Sequence, residues 1–146
     1  MGPEYSFVKT KHSYRNKTIH ARIGDIAGQF DRFHTLMRSC YRDITGAILV
    51  CSVDQRDSVK NMITKWHRSL CEYAPDDVYV AVIVNKCDLL HSNSGSDIQK
   101  IRAYEKVQRS AMKFASHNGY PVYNTSCITG QYIHTAFNDL IDRILR

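Results

Sequence analysis

Three short polar runs, each placed just after an apolar stretch, hold the side chains of this 146-residue chain that can do chemistry. The first is Gly24-Asp25-Ile26-Ala27-Gly28-Gln29, the second Asn85-Lys86-Cys87-Asp88, the third Asn124-Thr125-Ser126-Cys127-Ile128-Thr129-Gly130. A carboxylate set just past a buried strand, as Asp88 would be, can accept two parallel hydrogen bonds from a ligand edge with two adjacent N–H donors. It rejects an edge that lacks them, because a buried carboxylate would then go unpaired. Taken singly, each run has a plainer explanation. Asn-Lys-x-Asp also reads as a turn followed by a helix start, and Asp-x-x-Gly-Gln as any loop. All three in this order, each closing a strand, are hard to obtain by chance.

Other chemistries find little support. The five cysteines, Cys40, Cys51, Cys71, Cys87 and Cys127, are odd in number and never form a C-x-x-C pair. They read as structural thiols of a reduced, cytoplasmic protein, which makes the sequons at Asn16 and Asn124 chance matches. The seven histidines are single and show no metal-ligand spacing, so a zinc site is not expected. A net charge of +6 raises nucleic acid or an anionic membrane surface as a partner. The cations are dispersed, however: Lys9, Lys11, Arg15 and Lys17 near the start, then Lys100, Arg102, Lys106, Arg109 and Lys113 on a later helix. No aromatic–basic stacking pattern accompanies them, so nucleic acid is not the expected partner; a solvated helix face is the expected reading, with a partner-binding patch as the alternative. Nor does any stretch reach the roughly 20 apolar residues of a membrane span.

The elements that must position the three runs can be read from periodicity. Residues 5–13 and 18–23 alternate about the polar turn 14–17, as an antiparallel hairpin does. Residues 44–53 and 78–84 are continuously apolar, the pattern of parallel strands buried on both faces, and 121–123 is a short third example. Between them, 55–74 and 98–117 have near-helical apolar spacing, and Ile133, Ala136, Phe137, Leu140, Ile141 and Ile144 mark a final helix. Gly119 stands where a helix C-terminal glycine belongs, and 91–96 is a loop. Strands alternating with helices predict an α/β, mainly parallel sheet flanked by helices, with ligands beyond the carboxyl ends of the strands.

Over essentially its whole length the sequence resembles the Ras-like small GTPases, most of all the Rab branch. Asp25-Ile26-Ala27-Gly28-Gln29 is similar to the family's D-T-A-G-Q. Arg32-Phe33-His34-Thr35-Leu36 is similar to R-F-R-T-L, with Phe30 as a one-residue insertion between them. Tyr41-Arg42-Asp43-Ile44-Thr45-Gly46-Ala47 resembles Y-R-G-A-x-G-A, Asn85-Lys86-Cys87-Asp88-Leu89 is N-K-x-D-L intact, and Thr125-Ser126-Cys127-Ile128-Thr129-Gly130 resembles T-S-A-K-T-G. The resemblance implies a P-loop NTPase-like G domain over 1–146 that takes GTP or GDP with Mg2+ and meets protein effectors and regulators. Asp88 would take guanine N1–H and the 2-amino group, Lys86 would lay its stem along the base, and Asn85 would brace the loop. Ser126 belongs to the same loop, and Cys127 would present its N–H to the guanine oxygen. Ile128 replaces a lysine that packs on the base, which weakens the site somewhat. At the phosphate end Gln29 would orient the attacking water, Asp25 would help hold magnesium and Gly28 would approach the γ-phosphate.

The family's opening strand, its G-x-x-x-x-G-K-[ST] loop and its first helix have no counterpart in this sequence, whose seven glycines include no Gly-Lys pair. Losing three or more charge-assisted phosphate bonds removes on the order of 5 kcal/mol, about 10⁴-fold in affinity. Poor nucleotide binding and no competent hydrolysis are the expectation. By the same resemblance the absent strand would lie between the hairpin and the strand at 44–53. Either the sheet would close over that slot, or a partner segment, self-association or the rest of a longer protein would fill it. The chain is accordingly expected to be a fragment or shortened product, with no membrane anchor of its own. A pseudo-GTPase acting as a non-catalytic interaction module is the alternative. Of the aromatic triad that Rab proteins show to effectors, only Phe7 is aromatic here; the other positions are Gly24 and Cys40.

Overall fold

The structure is a computed structural model and describes residues 5–14, 17–26, 34–91 and 98–146. It divides into two compact units, Met1–Asp43 and Ile44–Arg146. In the first, β1 (Tyr5–Tyr14) and β2 (Lys17–Ile26) form an antiparallel pair running from Tyr5 opposite Ile26 to Tyr14 opposite Lys17. Alternation is visible along β2, where Ile19, Ala21 and Ile23 are half-buried while Thr18, His20, Arg22 and Gly24 are exposed. This is the period of a sheet with one wet face. The pairing continues past the expected end at residue 23, so Asp25 sits inside the strand, opposite Ser6, and not in a loop. Helix α1 (His34–Tyr41) completes the described part of this unit.

The second unit is built on a parallel sheet of three strands, β3 (Gly46–Ser52), β4 (Tyr79–Asn85) and β5 (Val122–Asn124), in the order β3-β4-β5. As the central strand, β4 buries five consecutive residues, Val80 to Val84. Each fully buried valine there contributes roughly 1.5–3 kcal/mol. The apolar run at 44–53 predicted the same for β3, and here the structure differs. Leu49 and Cys51 are buried, but Val50 between them is 54% exposed. An outer strand of a sheet can be covered on one face only, and apolar residues on the other face leave its sequence looking buried.

The expected helix at 55–74 is three consecutive pieces: α2 (Ser58–Asn61), a π-helical stretch (Met62–His67) and α3 (Arg68–Tyr73). Met62 in the wide turn is wholly buried. His67 leaves the same stretch to meet Tyr120, Nε2 to hydroxyl 3.0 Å, and lies edge-on to Phe114 with centroids 4.9 Å apart. Burial holds the His67 imidazole below the usual histidine range. A short 3₁₀ turn, Cys87–His91, follows β4, and α4 (Ile98–His117) sets Val107, Ala111 and Ala115 into the core. That helix ends as its glycine predicts. Gly119 has φ 68°, its N–H reaches Ser116 O at 3.2 Å, and the Tyr120 N–H reaches Ala115 O at 2.9 Å, which together close the last open carbonyls.

Helix α5 (Ile133–Ile144) lies on β3 and β4. It comes so near β3 that a Cβ on Gly46 would stand 2.7 Å from Ile144 Cδ1. Tyr123 of β5 donates its hydroxyl to Asp139 of α5 at 2.8 Å, and burial with that carboxylate pushes the phenol up to about 12. All five cysteines are free thiols. Burial pushes Cys51 up to about 12 and raises Cys87 as well, so these two are inert core residues.

Candidate functional site

Parallel register brings three strand ends to one level. Ser52 pairs with Asn85, and Val84 pairs with Asn124. Backbone bonds then carry the alignment into the loops. Val53 N–H donates to Asn85 O (3.2 Å), Thr125 N–H to Val84 O (2.8 Å) and Cys87 N–H to Thr125 O (3.0 Å). The residues after β4 and those after β5 are therefore tied to each other before any side chain acts. Lys86 turns the chain between them with φ 62°. A left-handed lysine costs roughly 1–2 kcal/mol, and strain of this kind persists only where the surroundings impose it.

On this base the side chains interlock. Ser126, fully buried, donates its hydroxyl to Asp88 Oδ1 at 2.6 Å and accepts the Thr129 N–H at 3.2 Å. With its single proton and an acceptor site both committed, the Ser126 hydroxyl fixes the orientation of the Asp88 carboxylate. That group retains further lone pairs, since a carboxylate offers about four acceptor positions. Thr125, also fully buried, donates to Asn85 Oδ1 at 3.1 Å. The Asn85 amide nitrogen faces Cys127 Sγ at 3.4 Å. Among the described residues no acceptor takes the Cys127 N–H. Lys86 extends outward and pairs with Asp54 (Nζ to Oδ2 2.7 Å), and Ser52 Oγ donates to the other Asp54 oxygen at 2.5 Å. The Lys86 ammonium first, and the Ser52 hydroxyl second, hold the Asp54 carboxyl below the usual carboxylate range.

Of the residues expected to form a site, the structure thus brings together Asn85, Lys86, Asp88, Ser126 and Cys127. Ile128 belongs to the same loop but is 84% exposed. Asp25 belongs to the other compact unit, and Gly28 and Gln29 lie outside the described residues. Two members were not anticipated, Asp54 and Thr125. Thr125 stood inside the third run without a role. Asp54 stands two residues past the end of β3, as Cys87 stands two past the end of β4, so the rule that ligands gather beyond parallel strand ends pointed to it.

The strand-end loops thus present an oriented carboxylate with acceptor capacity, a backbone N–H and a lysine stem at one level, a set able to meet a ligand that carries adjacent N–H donors and a flat face. Among the described residues no three His, Cys, Asp or Glu side chains converge as a metal site.

Comparison with known proteins gives the family. A sequence profile of the Ras family matches residues 4–146. The chain is similar to Ras-related protein Rab-10 of Caenorhabditis elegans, 35% identical over 131 residues, covering 90% of this chain and 59% of that protein. It is 30% identical to GTP-binding protein ypt3 of Schizosaccharomyces pombe, with 90% and 55% covered, and 33% identical to Ras-related protein RABA4d of Arabidopsis thaliana, with 90% and 53% covered. The chain thus spans somewhat more than half the length of these relatives. A profile match of that extent, together with the strand-end runs held in register, shows that the chain belongs to the Ras family of small GTPases, on its Rab branch.

Proposed function

We propose that these residues carry the base-recognising part of a Rab-type guanine-nucleotide switch, and that on their own they bind nucleotide weakly and do not hydrolyse it. The observation that carries this reading is the 2.6 Å bond from buried Ser126 to Asp88. It orients a carboxylate at a strand end, where two N–H donors of guanine can meet it and where adenine has no matching pair. Lys86 supplies its stem to one face of the base, Asn85 holds the two loops together, and Cys127 offers its N–H to the guanine oxygen.

The weakness follows from charge. A base-edge contact set leaves a di- or triphosphate without the backbone cradle and lysine that neutralise it, a deficit on the order of 5 kcal/mol. GTP with Mg2+ remains the ligand of the family. Asp25, Gly28 and Gln29 take the metal, γ-phosphate and water-orienting roles in this reading. Protein effectors and regulators are the partners and the cytoplasm is the compartment. No described helix is long and apolar enough to cross a membrane.

A second reading, a pseudo-GTPase that serves as an interaction module, is favoured by two exposed apolar residues. Ile128 stands open in the loop after β5, and Val50 is uncovered on the outward face of β3, where apolar side chains of a partner or a second copy can pack. Titration of this chain with GMP, GDP, AMP and ADP, followed by amide chemical shifts, separates the readings. The expected result is guanine-selective shifts at Asn85, Asp88 and Ser126 with millimolar affinity and little gain from added phosphates. Equal response to adenine nucleotides, or none, would support the interaction module. Micromolar or tighter Mg–GDP binding would refute the claimed weakness.

A further inference from the structure

Helix α4 carries a feature that nucleotide recognition does not use. Arg102, Lys106, Arg109 and Lys113 follow one another at i, i+4, i+7 and i+11, and all four are exposed. At 100° per residue they fall within an arc of about 60°, and they extend about 17 Å along the axis. The buried residues of the same helix, Val107, Ala111 and Ala115, face the opposite way. The cations therefore form the crest of the helix, at its greatest distance from the core.

Little acidity balances them. Arg109 meets Glu105 at 3.9 Å, at the edge of an ion pair and with 70% of the Arg109 side chain exposed. Among the described residues no carboxylate pairs with Arg102, Lys106 or Lys113. Two apolar side chains flank the crest on one side, Ile98 at 68% and Met112 at 41% exposure. The exposed residues of this helix thus include the four cations and two large apolar side chains, while the one carboxylate near them, Glu105, is only part-exposed.

We infer that the crest of α4 is a docking surface for an anionic phospholipid bilayer. Shape selects this occupant. A straight row of cations on a convex ridge can touch a plane at every position at once, whereas an acidic peptide needs a groove or a strand edge to gain comparable contact. Single-stranded nucleic acid is recognised through aromatic side chains set among the cations, and the crest has none. The flanking Ile98 and Met112 suit an interface where headgroups give way to acyl chains. Each Lys or Arg near an anionic leaflet improves partition by roughly fivefold. Four such residues give weak, reversible, salt-sensitive docking, well short of an anchor.

The test is co-sedimentation of the 146-residue chain with phosphatidylcholine vesicles carrying phosphatidylserine as about one lipid in three. Binding is expected to these vesicles and not to pure phosphatidylcholine, and to fall as salt is raised. The double variant Lys106→Gln/Lys113→Gln is expected to bind about 25-fold more weakly. Lys60→Gln/Arg68→Gln, which removes the same charge from exposed positions elsewhere, should bind nearly as wild type. Thermal melts of both variants check that each is folded. Equal losses in the two double variants would show a response to net charge alone and overturn the proposal. So would the absence of phosphatidylserine-dependent binding, or tighter binding to polyglutamate or single-stranded RNA than to the vesicles.

Discussion

The floor and the rim of the base loop are held by different physics, although they are only one or two residues apart. The floor is Thr125, Ser126, Asn85 and Asp88. Its two hydroxyl-bearing residues are fully buried and each donates to a side chain of the other loop. The rim is Lys86 with Asp54, and Cys127 with Ile128. Its one strong contact is an ion pair whose lysine side chain is 46% exposed, where water and salt screen it. Floor geometry is therefore a consequence of folding itself, and rim geometry can change without unfolding anything. In the proposed reading, selectivity for the edge of a base rests on the floor carboxylate Asp88, with the Cys127 N–H added from the rim, and affinity for its face rests on the rim.

Substitutions can break this contrast at several strengths. Ser126→Val should destabilise most, by about 2–3 kcal/mol in urea unfolding, because it removes a charge-assisted bond and strands the Thr129 N–H. A loss below about 0.5 kcal/mol would show that the floor is not fixed by that serine. Next comes a pH effect seated far from the loop. The folded His67 imidazole titrates below its unfolded value, so the unfolded chain binds the proton first. Stability should therefore fall as pH is lowered from about 6.5 toward the lower, folded value. Urea midpoints at pH 7.5 and 5.5 should separate less in His67→Gln than in wild type. The rim pair should matter less. Asp54→Asn is expected to cost under about 1 kcal/mol, with the difference from wild type vanishing in high salt. Because the Asp54 carboxyl titrates below its unfolded value, its contribution is present above about pH 4 and is lost as pH falls through the lower, folded value. Ile128→Lys should change stability least, within about 0.5 kcal/mol, since the side chain it replaces lies open. It should nonetheless tighten GMP binding measurably in the same amide titration, and no change there would separate the rim from base affinity.

How far these features could be read from sequence depended on whether burial or exposure shaped them. Strand β4 was plain because five buried residues in a row leave an unbroken apolar signal, and the Asn85–Asp88 run was found because it ends that signal. Strand β3 looked the same, yet Val50 faces outward. Apolar composition cannot distinguish two covered faces from one covered and one bare. The helix expected at 55–74 was located but its inner geometry was not, since a π turn shifts the apolar spacing by one residue and blurs the 3.6 period. The hairpin's second strand was ended too early because Gly24 and Asp25 are poor strand formers, and pairing with Ser6 and Phe7 outweighs that preference. Asp54 escaped notice for a different reason. Its role depends on a lysine 32 residues away in sequence, and no periodicity marks such a partner.

The π-helical stretch at Met62–His67 also gives this domain slack in chain length. Each hydrogen-bonded ring there spans one residue more than an α-helical ring does, so one residue is stored in the turn without displacing Val59 before it or Leu70 after it. A lineage that loses a residue at this place can close the turn to an ordinary helix and keep both flanks seated. The widened turn is thus a point where the gene can vary by a codon while the sheet, and the loops at its strand ends, stay as they are.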